Sequence, residues 1–452
     1  MHGCRSAALL VTALSFAAAT PAAAQTPTAT YVVLGGAGAV ARAVVYVGAT
    51  AVVPQCPAIV VDGASQTMAV RARPDADFPI LVCEFLLPAT ATSASIDGPL
   101  PLPRKELKSI AVFGDTGCRL KADKASAQQA AHDSDADEEG GKFQDCNNTA
   151  DWPFAPMSAT IAAAKPDLVV HVGDYYYRES ACPTGDNGCQ GSPHGDNWTT
   201  WAADFFTPAA PLLKASPWIV TRGNHETCKR GGLGYARLLD PTPASGNAPP
   251  ACVKLIDQYT VNVGGHAFIA LDSSDAADEC PKGHCSKKIY GPYEDQFAAM
   301  QPGKGTWLVT HKPIWGFTNS KGKSGKRKLG TRNMALQAAL AARKDWKKVP
   351  PAGIDLVLSG HIHLWEALGF TDKRSPQFVL GSGSTELAHK ITEKLKGQEI
   401  GGRTVKDAKT DHHFGYTLFT PTGGGDWDAT YYDTSGKAKI ACKVEPTKVT
   451  CQ

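Results

Sequence analysis

Short, nearly continuous apolar runs recur along the chain from residue 108 onward. They occupy 109–115, 167–174, 217–226, 267–274, 306–312, 355–363 and 377–384. Runs of this kind are typical of strands that are buried on both faces. Helical patterns lie between them, at 155–164 and 331–347. The region is therefore predicted to be α/β, with sheets covered by helices.

The two ends of the chain have a different pattern. Residues 27–100 alternate apolar and polar positions between turn residues, which predicts a small all-β domain of the sandwich type. A proline-rich stretch at 98–106 marks a plausible boundary. We therefore expect a β domain at 25–105 and a catalytic domain at 106–452. The last part of the chain, from residue 414, alternates again and is predicted to form a sheet edge.

The first 24 residues have the features of a secretory signal peptide. Arg5 precedes an apolar segment that runs through about Phe16, and alanines at 22–24 offer a small-residue cleavage site. No later apolar run reaches the ~18 residues that a membrane-spanning helix needs. The sequence therefore predicts a secreted or periplasmic protein with a bacterial-type signal peptide and no membrane span.

The cysteine count agrees with export. Of 13 cysteines, Cys4 lies in the predicted signal peptide, and the even number that remains suits a disulfide framework. Zinc binding by cysteines is the alternative, but no CxxC motif occurs and an exported protein meets an oxidising compartment. Sequence alone leaves the connectivity open. The cysteines do fall into neighbouring pairs, namely Cys56/Cys83, Cys118/Cys146, Cys182/Cys189, Cys228/Cys252, Cys280/Cys285 and Cys442/Cys451.

The net charge of +3 is small for a chain of 452 residues. A protein that binds nucleic acid or an anionic membrane surface usually carries a larger basic excess or a basic cluster. Nucleic-acid binding is therefore not expected as the main role.

Five of the apolar runs end in residues that could bind metals or transfer protons. In open α/β sheets, binding sites form beyond the carboxyl ends of strands, so these residues are expected to share one rim. The donor set suits iron, manganese or zinc, and it is too large for one tetrahedral zinc ion. Two ions bridged by a carboxylate, ~3.5–4 Å apart, would use it fully. The strand-end residues are Asp115, Asp174, Asn224, His225, Glu226, His311, His361 and His363.

The stretches GDTG, GDYYY, GNHE, VTHKP and SGHIH, over residues 114–363, resemble the motifs of the calcineurin-like metallophosphoesterase superfamily. Within that superfamily they are most similar to the purple acid phosphatase branch. The resemblance implies two mixed β-sheets flanked by helices, preceded by a small fibronectin III-like β-sandwich. It also implies two metal ions as cofactors, either iron with zinc, manganese or a second iron, or else two divalent ions.

The same resemblance implies a role for each site residue. Tyr177 stands three residues after Asp174, as in the family's GDxxY motif, with Tyr176 as the competing phenol ligand. His225 is expected beside the leaving group, and Glu226 either orients it or only packs. The first ion would be held by Asp115, Asp174, Tyr177 and His363, and the second by Asp174 as bridge, Asn224, His311 and His361.

The implied activity is hydrolysis of a small phosphate ester. Two ions would neutralise the anionic ester and lower the pKa of a bound water toward ~7, and the resulting hydroxide would attack phosphorus. His225 would supply a proton to the departing alkoxide. An acid phosphatase acting on phosphomonoesters is the first expectation. A phosphodiesterase or nucleotide-cleaving enzyme is the alternative, followed by a non-catalytic metal- or phosphate-binding protein. The sequence does not indicate the oligomeric state.

Overall fold

The structure is a computed structural model that describes residues 27–48, 55–122, 141–244, 250–321, 327–343 and 353–452. The predicted signal peptide lies outside the described residues. The strands are β1 (Ala29–Gly35), β2 (Gly38–Tyr46), β3 (Ala58–Val61), β4 (Ala64–Thr67), β5 (Ala69–Ala72), β6 (Ile80–Leu86), β7 (Ala94–Ser95), β8 (Ile110–Phe113), β9 (Leu120–Lys121), β10 (Lys142–Phe143), β11 (Leu168–His171), β12 (Trp218–Val220), β13 (Tyr259–Val263), β14 (His266–Leu271), β15 (Thr306–Thr310), β16 (Phe317–Lys321), β17 (Arg327–Thr331), β18 (Ile354–Ser359), β19 (Trp365–Phe370), β20 (Gln377–Leu380), β21 (Glu399–Ile400), β22 (Arg403–Asp411), β23 (Gly415–Gly423), β24 (Asp426–Asp433), β25 (Ala438–Glu445) and β26 (Lys448–Cys451).

The helices of the described residues are few and lie between the strands. They are α1 (Phe154–Ala164), α2 (Trp198–Trp201), α3 (Thr207–Ala215), α4 (Gly232–Leu238), α5 (Lys287–Ala299) and α6 (Met334–Ala342). A π-helical turn at Ala202–Phe206 joins α2 to α3, and short 3₁₀ turns occur at Asn224–Glu226 and Pro281–Gly283. No helix of the described ranges is long and apolar enough to cross a bilayer.

Two large mixed sheets form the centre of the molecule. One has the order β26-β25-β24-β23-β8-β11-β12-β1-β2-β6-β5, and the other β13-β14-β15-β18-β20-β19-β22-β21. A shared core lies between them, with Ile110 and Val112 of one sheet and Trp307 and Val309 of the other. Helices α1 and α3 cover the outer face of the first sheet, and α5 and α6 cover that of the second. The predicted α/β fold of two mixed sheets flanked by helices is confirmed.

The central strands of both sheets are the apolar runs of the sequence. Strands β8, β11 and β12 pair in parallel, and so do β14, β15 and β18. Because their side chains are apolar on both faces, each strand can be covered by a helix layer on one side and by the other sheet on the opposite side. The predicted helix at 155–164 is α1, and that at 331–347 contains α6, although residues 344–347 lie outside the described part.

The N-terminal region is all-β, as predicted, but its main sheet is not separate from that of the catalytic region. Strand β1 pairs in parallel with β12, with Val33 opposite Trp218, and β2, β6 and β5 follow it outward. The three-stranded sheet β4-β3-β7 packs on the inner face of these strands, which gives the region a sandwich-like cross-section. The expected boundary at residue 105 therefore does not coincide with an edge of the sheet.

A buried ionic cluster ties the N-terminal strands to helix α4. Arg42 Nη1 donates to the Leu238 carbonyl at 2.7 Å, and Arg71 donates to the carbonyls of Ala236 and Arg237 at 2.6 and 3.0 Å. Both guanidinium groups pair with the Glu84 carboxylate. Arginines at a helix C-terminus satisfy carbonyls that the helix itself leaves without partners. The cluster fixes α4, which begins shortly after the 3₁₀ turn at Asn224–Glu226.

Six disulfides link the twelve cysteines outside the predicted signal peptide. The prediction of a disulfide framework is confirmed, and the connectivity follows the neighbouring pairs. Two bridges lie close in sequence to strand-end residues: one follows Asp115, and the other follows Glu226. The pairs are Cys56–Cys83, Cys118–Cys146, Cys182–Cys189, Cys228–Cys252, Cys280–Cys285 and Cys442–Cys451.

The Glu84 cluster provides a stability test for the continuous sheet. Glu84→Gln removes the carboxylate that pairs with both Arg42 and Arg71. Removing one partner of a buried ion pair costs about 3–5 kcal/mol. We expect the free energy of unfolding, measured in urea, to fall by that amount. A loss below about 1 kcal/mol would show that the cluster does not anchor the N-terminal strands.

Candidate metal centre

The predicted site residues follow the ends of five strands and meet at one edge of the two facing sheets. Parallel pairing puts the carboxyl ends of β8, β11 and β12 side by side, and those of β15 and β18 opposite them. The side chains gathered there are almost fully buried, His361 and His363 being the partly exposed ones. The residues brought together are Asp115, Asp174, Tyr177, Asn224, His225, Glu226, His311, His361 and His363.

The other three residues expected to hold the first ion surround the phenol of Tyr177. Its Oη lies 2.8 Å from Asp174 Oδ2, 3.1 Å from Asp115 Oδ1 and 2.9 Å from His363 Nε2. Tyr176 instead stacks on Trp201, with ring centroids 6.0 Å apart. The loop geometry therefore places Tyr177, rather than Tyr176, among the candidate ligands.

The residues expected to hold the second ion converge on Asn224. Its Oδ1 lies 2.8 Å from His311 Nε2 and 2.8 Å from His361 Nδ1. His311 Nε2 is also 3.2 Å from Asp174 Oδ2. One oxygen of Asp174 therefore faces both groups, which is the position that a bridging carboxylate would take.

Each of the three candidate histidine ligands has one ring nitrogen fixed by an acceptor outside the cluster. His311 Nδ1 donates to the Val172 carbonyl, and His363 Nδ1 donates to the Glu386 carbonyl, both at 2.8 Å. His361 Nε2 donates to Asp278 Oδ2 at 2.9 Å. A neutral imidazole has one N–H, so the nitrogen that faces the cluster is left with its lone pair. This is the arrangement that metal-binding histidines use.

The electrostatics of the cluster favour a bound cation. Burial raises the pKa of Asp115 well above its usual range, and the neighbouring Asp174 carboxylate adds to the effect. Positive charge on His311 and His225 outweighs the burial of Asp174 and holds its pKa well below its usual range. A bound cation would supply the same compensation with His311 neutral. Carboxylate, phenol and imidazole donors crowded together away from water are stable only when a positive charge compensates them. The donor set, all nitrogen and oxygen, fits iron, manganese or zinc.

Three of the candidate ligands have strained backbones. Asp115, Asp174 and His361 have φ angles of 58°, 60° and 70°, in the left-handed region that non-glycine residues avoid. Such a conformation costs on the order of 1–3 kcal/mol per residue and persists only where the surroundings enforce it. Clustering of this strain at one site is typical of functional centres.

Glycines beside the candidate ligands are required mainly by close packing. A Cβ on Gly223 would lie 2.0 Å from Asp174 Oδ1, and one on Gly360 would lie 2.3 Å from Asp115 Oδ2. Gly173 must be glycine for two reasons: its φ of 98° is unfavourable for other residues, and a Cβ there would lie 2.6 Å from His311 Nδ1. These glycines therefore let the candidate ligands approach one another more closely than residues with a Cβ would allow.

Two buried carboxylates hold the loop that carries Tyr177. Glu226 accepts hydrogen bonds from the amides of residues 174, 175 and 176, and from Gly223, at 2.8–3.1 Å. Asp204 accepts from the amides of residues 177 and 178 at 2.8 and 3.1 Å. The amides of five consecutive residues, 174–178, are thus held by these two carboxylates. Burial and the nearby Asp174 carboxylate raise the pKa of Glu226 to about 7. Glu226 is therefore a positioning residue for this loop.

Asp204 gave no sequence signal, because it lies in the π-helical turn before α3 and far from every motif. Such turns are rare and often mark functional sites. Its carboxylate also pairs with Arg178 at 2.5 Å.

His225 lies over the ring of Tyr177, with ring centroids 3.7 Å apart. Its amide donates to Asp174 Oδ1 at 2.9 Å, and its Nδ1 is 2.9 Å from a Glu179 oxygen. The Arg230 guanidinium lies 2.8 and 3.0 Å from the two ring nitrogens. Although burial opposes it, the charges of Arg230 and His225 lower the pKa of Glu179 to about 2. The carboxylate in contact with the His225 ring is thus Glu179, which the sequence analysis missed, rather than Glu226.

Close packing at Gly223 can be tested by a single methyl group. We expect Gly223→Ala to displace Asp174, to lower the free energy of unfolding by about 1–3 kcal/mol and to abolish metal binding. The matched control is Gly303→Ala, because a Cβ there has no neighbour within 4 Å and the residue has an ordinary φ. Metal content is measured on both folded variants. Full metal content in Gly223→Ala would contradict the geometry.

Comparison with known proteins agrees with the fold and the motifs. The sequence model of the family described as calcineurin-like phosphoesterase matches residues 108–364. A purple acid phosphatase isolated from yellow lupin (Lupinus luteus) seeds has a similar structure, with a TM-score of 0.55 and 14% identity, over 93% of this chain and 74% of that one. GAP50, the anchor in the inner membrane complex of Plasmodium, matches with a TM-score of 0.40 and 15% identity, over 75% of this chain and 89% of that one. A search of curated proteins found no match. The family match spans more than half of the chain, and the chain therefore belongs to the calcineurin-like phosphoesterase family.

Proposed function

We propose that this protein is an exported, two-metal phosphoesterase of the purple acid phosphatase type that hydrolyses small phosphomonoesters. The observation that carries the proposal is the position of Tyr177. Its phenol lies within 3.1 Å of Asp115, Asp174 and His363, in the place of a ligand to the first ion. A phenolate ligand suits ferric iron, so iron with a second iron, zinc or manganese is the proposed pair.

The chain's residues divide into two ligand sets that share Asp174. The first set is Asp115, Asp174, Tyr177 and His363, and the second is Asp174, Asn224, His311 and His361. When bound, two such ions neutralise the charge of a phosphate ester and supply an activated water as nucleophile. A nucleophilic cysteine is not needed, and the cysteines of the described residues are all in disulfides.

His225 is proposed to protonate the leaving group. It lies against Tyr177, and its Nε2 is 4.0 Å from Asp174 Oδ2, so it borders both ligand sets. Contacts with Glu179 and Arg230 hold the ring in place without making it a ligand. A histidine in this position can deliver a proton to the departing alkoxide.

Burial of the centre supports a small substrate with a terminal phosphate. Asp115, Asp174 and His225 are at most 1% exposed, and the His363 side chain is 11% exposed. Among the described residues of the centre, the side that His361 and His363 border is therefore the least buried. A terminal phosphate can reach a buried centre of this kind while its single ester substituent stays outside. A phosphodiester has two ester substituents, and both must be accommodated.

Export is proposed from the disulfides. Six bridges in one chain persist in an oxidising compartment and are uncommon in a reducing cytosol.

The tyrosine assignment predicts a difference between two neighbouring substitutions. Tyr177→Phe removes the phenol from the cluster, and we expect the iron-loaded protein to lose a broad visible absorption band. Tyr176→Phe is the matched control, because that ring packs on Trp201, and it should keep the band. The band is measured at equal iron content. Loss of the band in Tyr176→Phe with retention in Tyr177→Phe would reverse the assignment.

The proton-donor assignment predicts a loss of turnover without a loss of metal. His225→Ala should lower kcat for p-nitrophenyl phosphate by about 10²–10⁴-fold, because general acid catalysis contributes that much. His284→Ala, at an exposed position, is the control. Metal content and activity toward bis(p-nitrophenyl) phosphate are measured in parallel. Unchanged turnover in His225→Ala would refute the role, and faster diester than monoester hydrolysis by the unmodified protein would favour a phosphodiesterase.

A further inference from the structure

The three candidate histidine ligands differ in what holds their outer nitrogen. Main-chain carbonyls hold His311 and His363, and no side-chain substitution can remove them. The outer nitrogen of His361 is held by a side chain, the carboxylate of Asp278, at 2.9 Å. Carboxylate partners fix ring orientation and make the metal-facing nitrogen a stronger donor than carbonyl partners do. The cluster is therefore asymmetric, and the asymmetry belongs to the second ligand set.

Asp278 is itself held in place by buried groups. It is 3% exposed, and its Oδ2 also accepts from Lys312 Nζ at 3.1 Å. Lys312 is fully buried, follows His311 directly in the sequence and donates in addition to the Ala276 carbonyl at 2.9 Å. The main chain of Asp278 accepts a hydrogen bond from the amide of Met334 at the start of α6. The buried Asp278 carboxylate is thus held by the Lys312 ammonium group, and the same oxygen accepts the hydrogen bond from His361.

We infer that Asp278 is a positioning residue for His361 and thereby determines how tightly the second ion is bound. The inference rests on the proposed two-metal function. Asp278 accepts a hydrogen bond from the Nε2–H group of His361, so the ring's single proton stays on Nε2. Nδ1 therefore keeps its lone pair, and it lies 2.8 Å from Asn224 Oδ1. Asp278 acts through His361 and is not itself a ligand.

Asp278 is expected to affect the binding of only one of the two ions. The residues of the first ligand set, Asp115, Asp174, Tyr177 and His363, do not include His361, so Asp278 should leave the first ion unaffected. Outer-shell partners of this kind typically contribute 10–100-fold to metal affinity. Lys312 neutralises Asp278, so that the carboxylate adds no net negative charge to the centre.

The test uses metal-free full-length protein titrated with Zn²⁺ by calorimetry, with folding checked by circular dichroism. We expect two Zn²⁺ sites in the unmodified protein. In Asp278→Asn, the dissociation constant of one site, the same site that His361→Ala weakens, should rise about 10–100-fold, with the other site unchanged. Glu84→Gln is the matched control, because it also turns a buried, ion-paired carboxylate into an amide, but lies in the N-terminal strands.

A double-variant cycle separates positioning from general destabilisation. His361→Ala should weaken the second Zn²⁺ site, and adding Asp278→Asn to it should cause no further loss if Asp278 acts through His361. Wild-type affinity in folded Asp278→Asn, or full additivity in the double variant, overturns the inference. Failure of Asp278→Asn and of Asp278→Glu to fold, while Glu84→Gln folds, would assign Asp278 to folding and also overturn it. Fewer than two Zn²⁺ sites in the unmodified protein would instead refute the proposed two-metal function.

Discussion

The centre depends on the buried carboxylate of Asp174, which contacts both candidate ligand sets at once. One of its oxygens lies 2.8 Å from the Tyr177 phenol and 3.2 Å from His311 Nε2, and the other accepts the amide of His225. Its backbone is held in a left-handed conformation by Glu226 and by the absence of a Cβ on Gly223. The neighbouring glycines, the strained backbone and the buried Glu226 all serve to keep this carboxylate in a position that it would not otherwise occupy.

The fold supplies the rigid surroundings that such a position requires. Two sheets share one core and end at the same edge, so residues from strands far apart in sequence meet within hydrogen-bonding distance. The N-terminal strands extend the first sheet beyond β12, and their arginines Arg42 and Arg71 hold the C-terminus of α4. The N-terminal region thus stabilises the segment that follows His225, in addition to any separate role that it has.

The sequence was sufficient to predict the parts of the site that occur at strand ends. Continuous apolar runs specify buried parallel strands, and the polar residue after each run must lie at the shared edge, so Asp115, Asn224 and His361 could be named in advance. The cysteines that are neighbours in sequence are also the ones that pair in the structure, although the sequence had left their connectivity open. The family resemblance favoured Tyr177 over Tyr176. The residues alone do not decide between them, because the choice depends on amides fixed by Asp204 and Glu226.

The residues that the sequence analysis missed share one physical property. Asp204, Glu179 and Asp278 contact the site through hydrogen bonds or ion pairs with residues distant in sequence, and no periodicity or motif marks such contacts. Pairing of β1 with β12 was missed for the same reason, because an alternating strand does not specify its distant neighbour. Tertiary contacts of this kind become visible only once the sheets are assembled.

The most direct test of the two-metal centre is anomalous X-ray diffraction from crystals of the purified protein, collected at the absorption edges of iron, zinc and manganese. The account predicts two anomalous peaks ~3.5–4 Å apart on either side of the Asp174 carboxylate, with iron at the peak nearest Tyr177. A single peak, or two peaks that do not share Asp174, would contradict it.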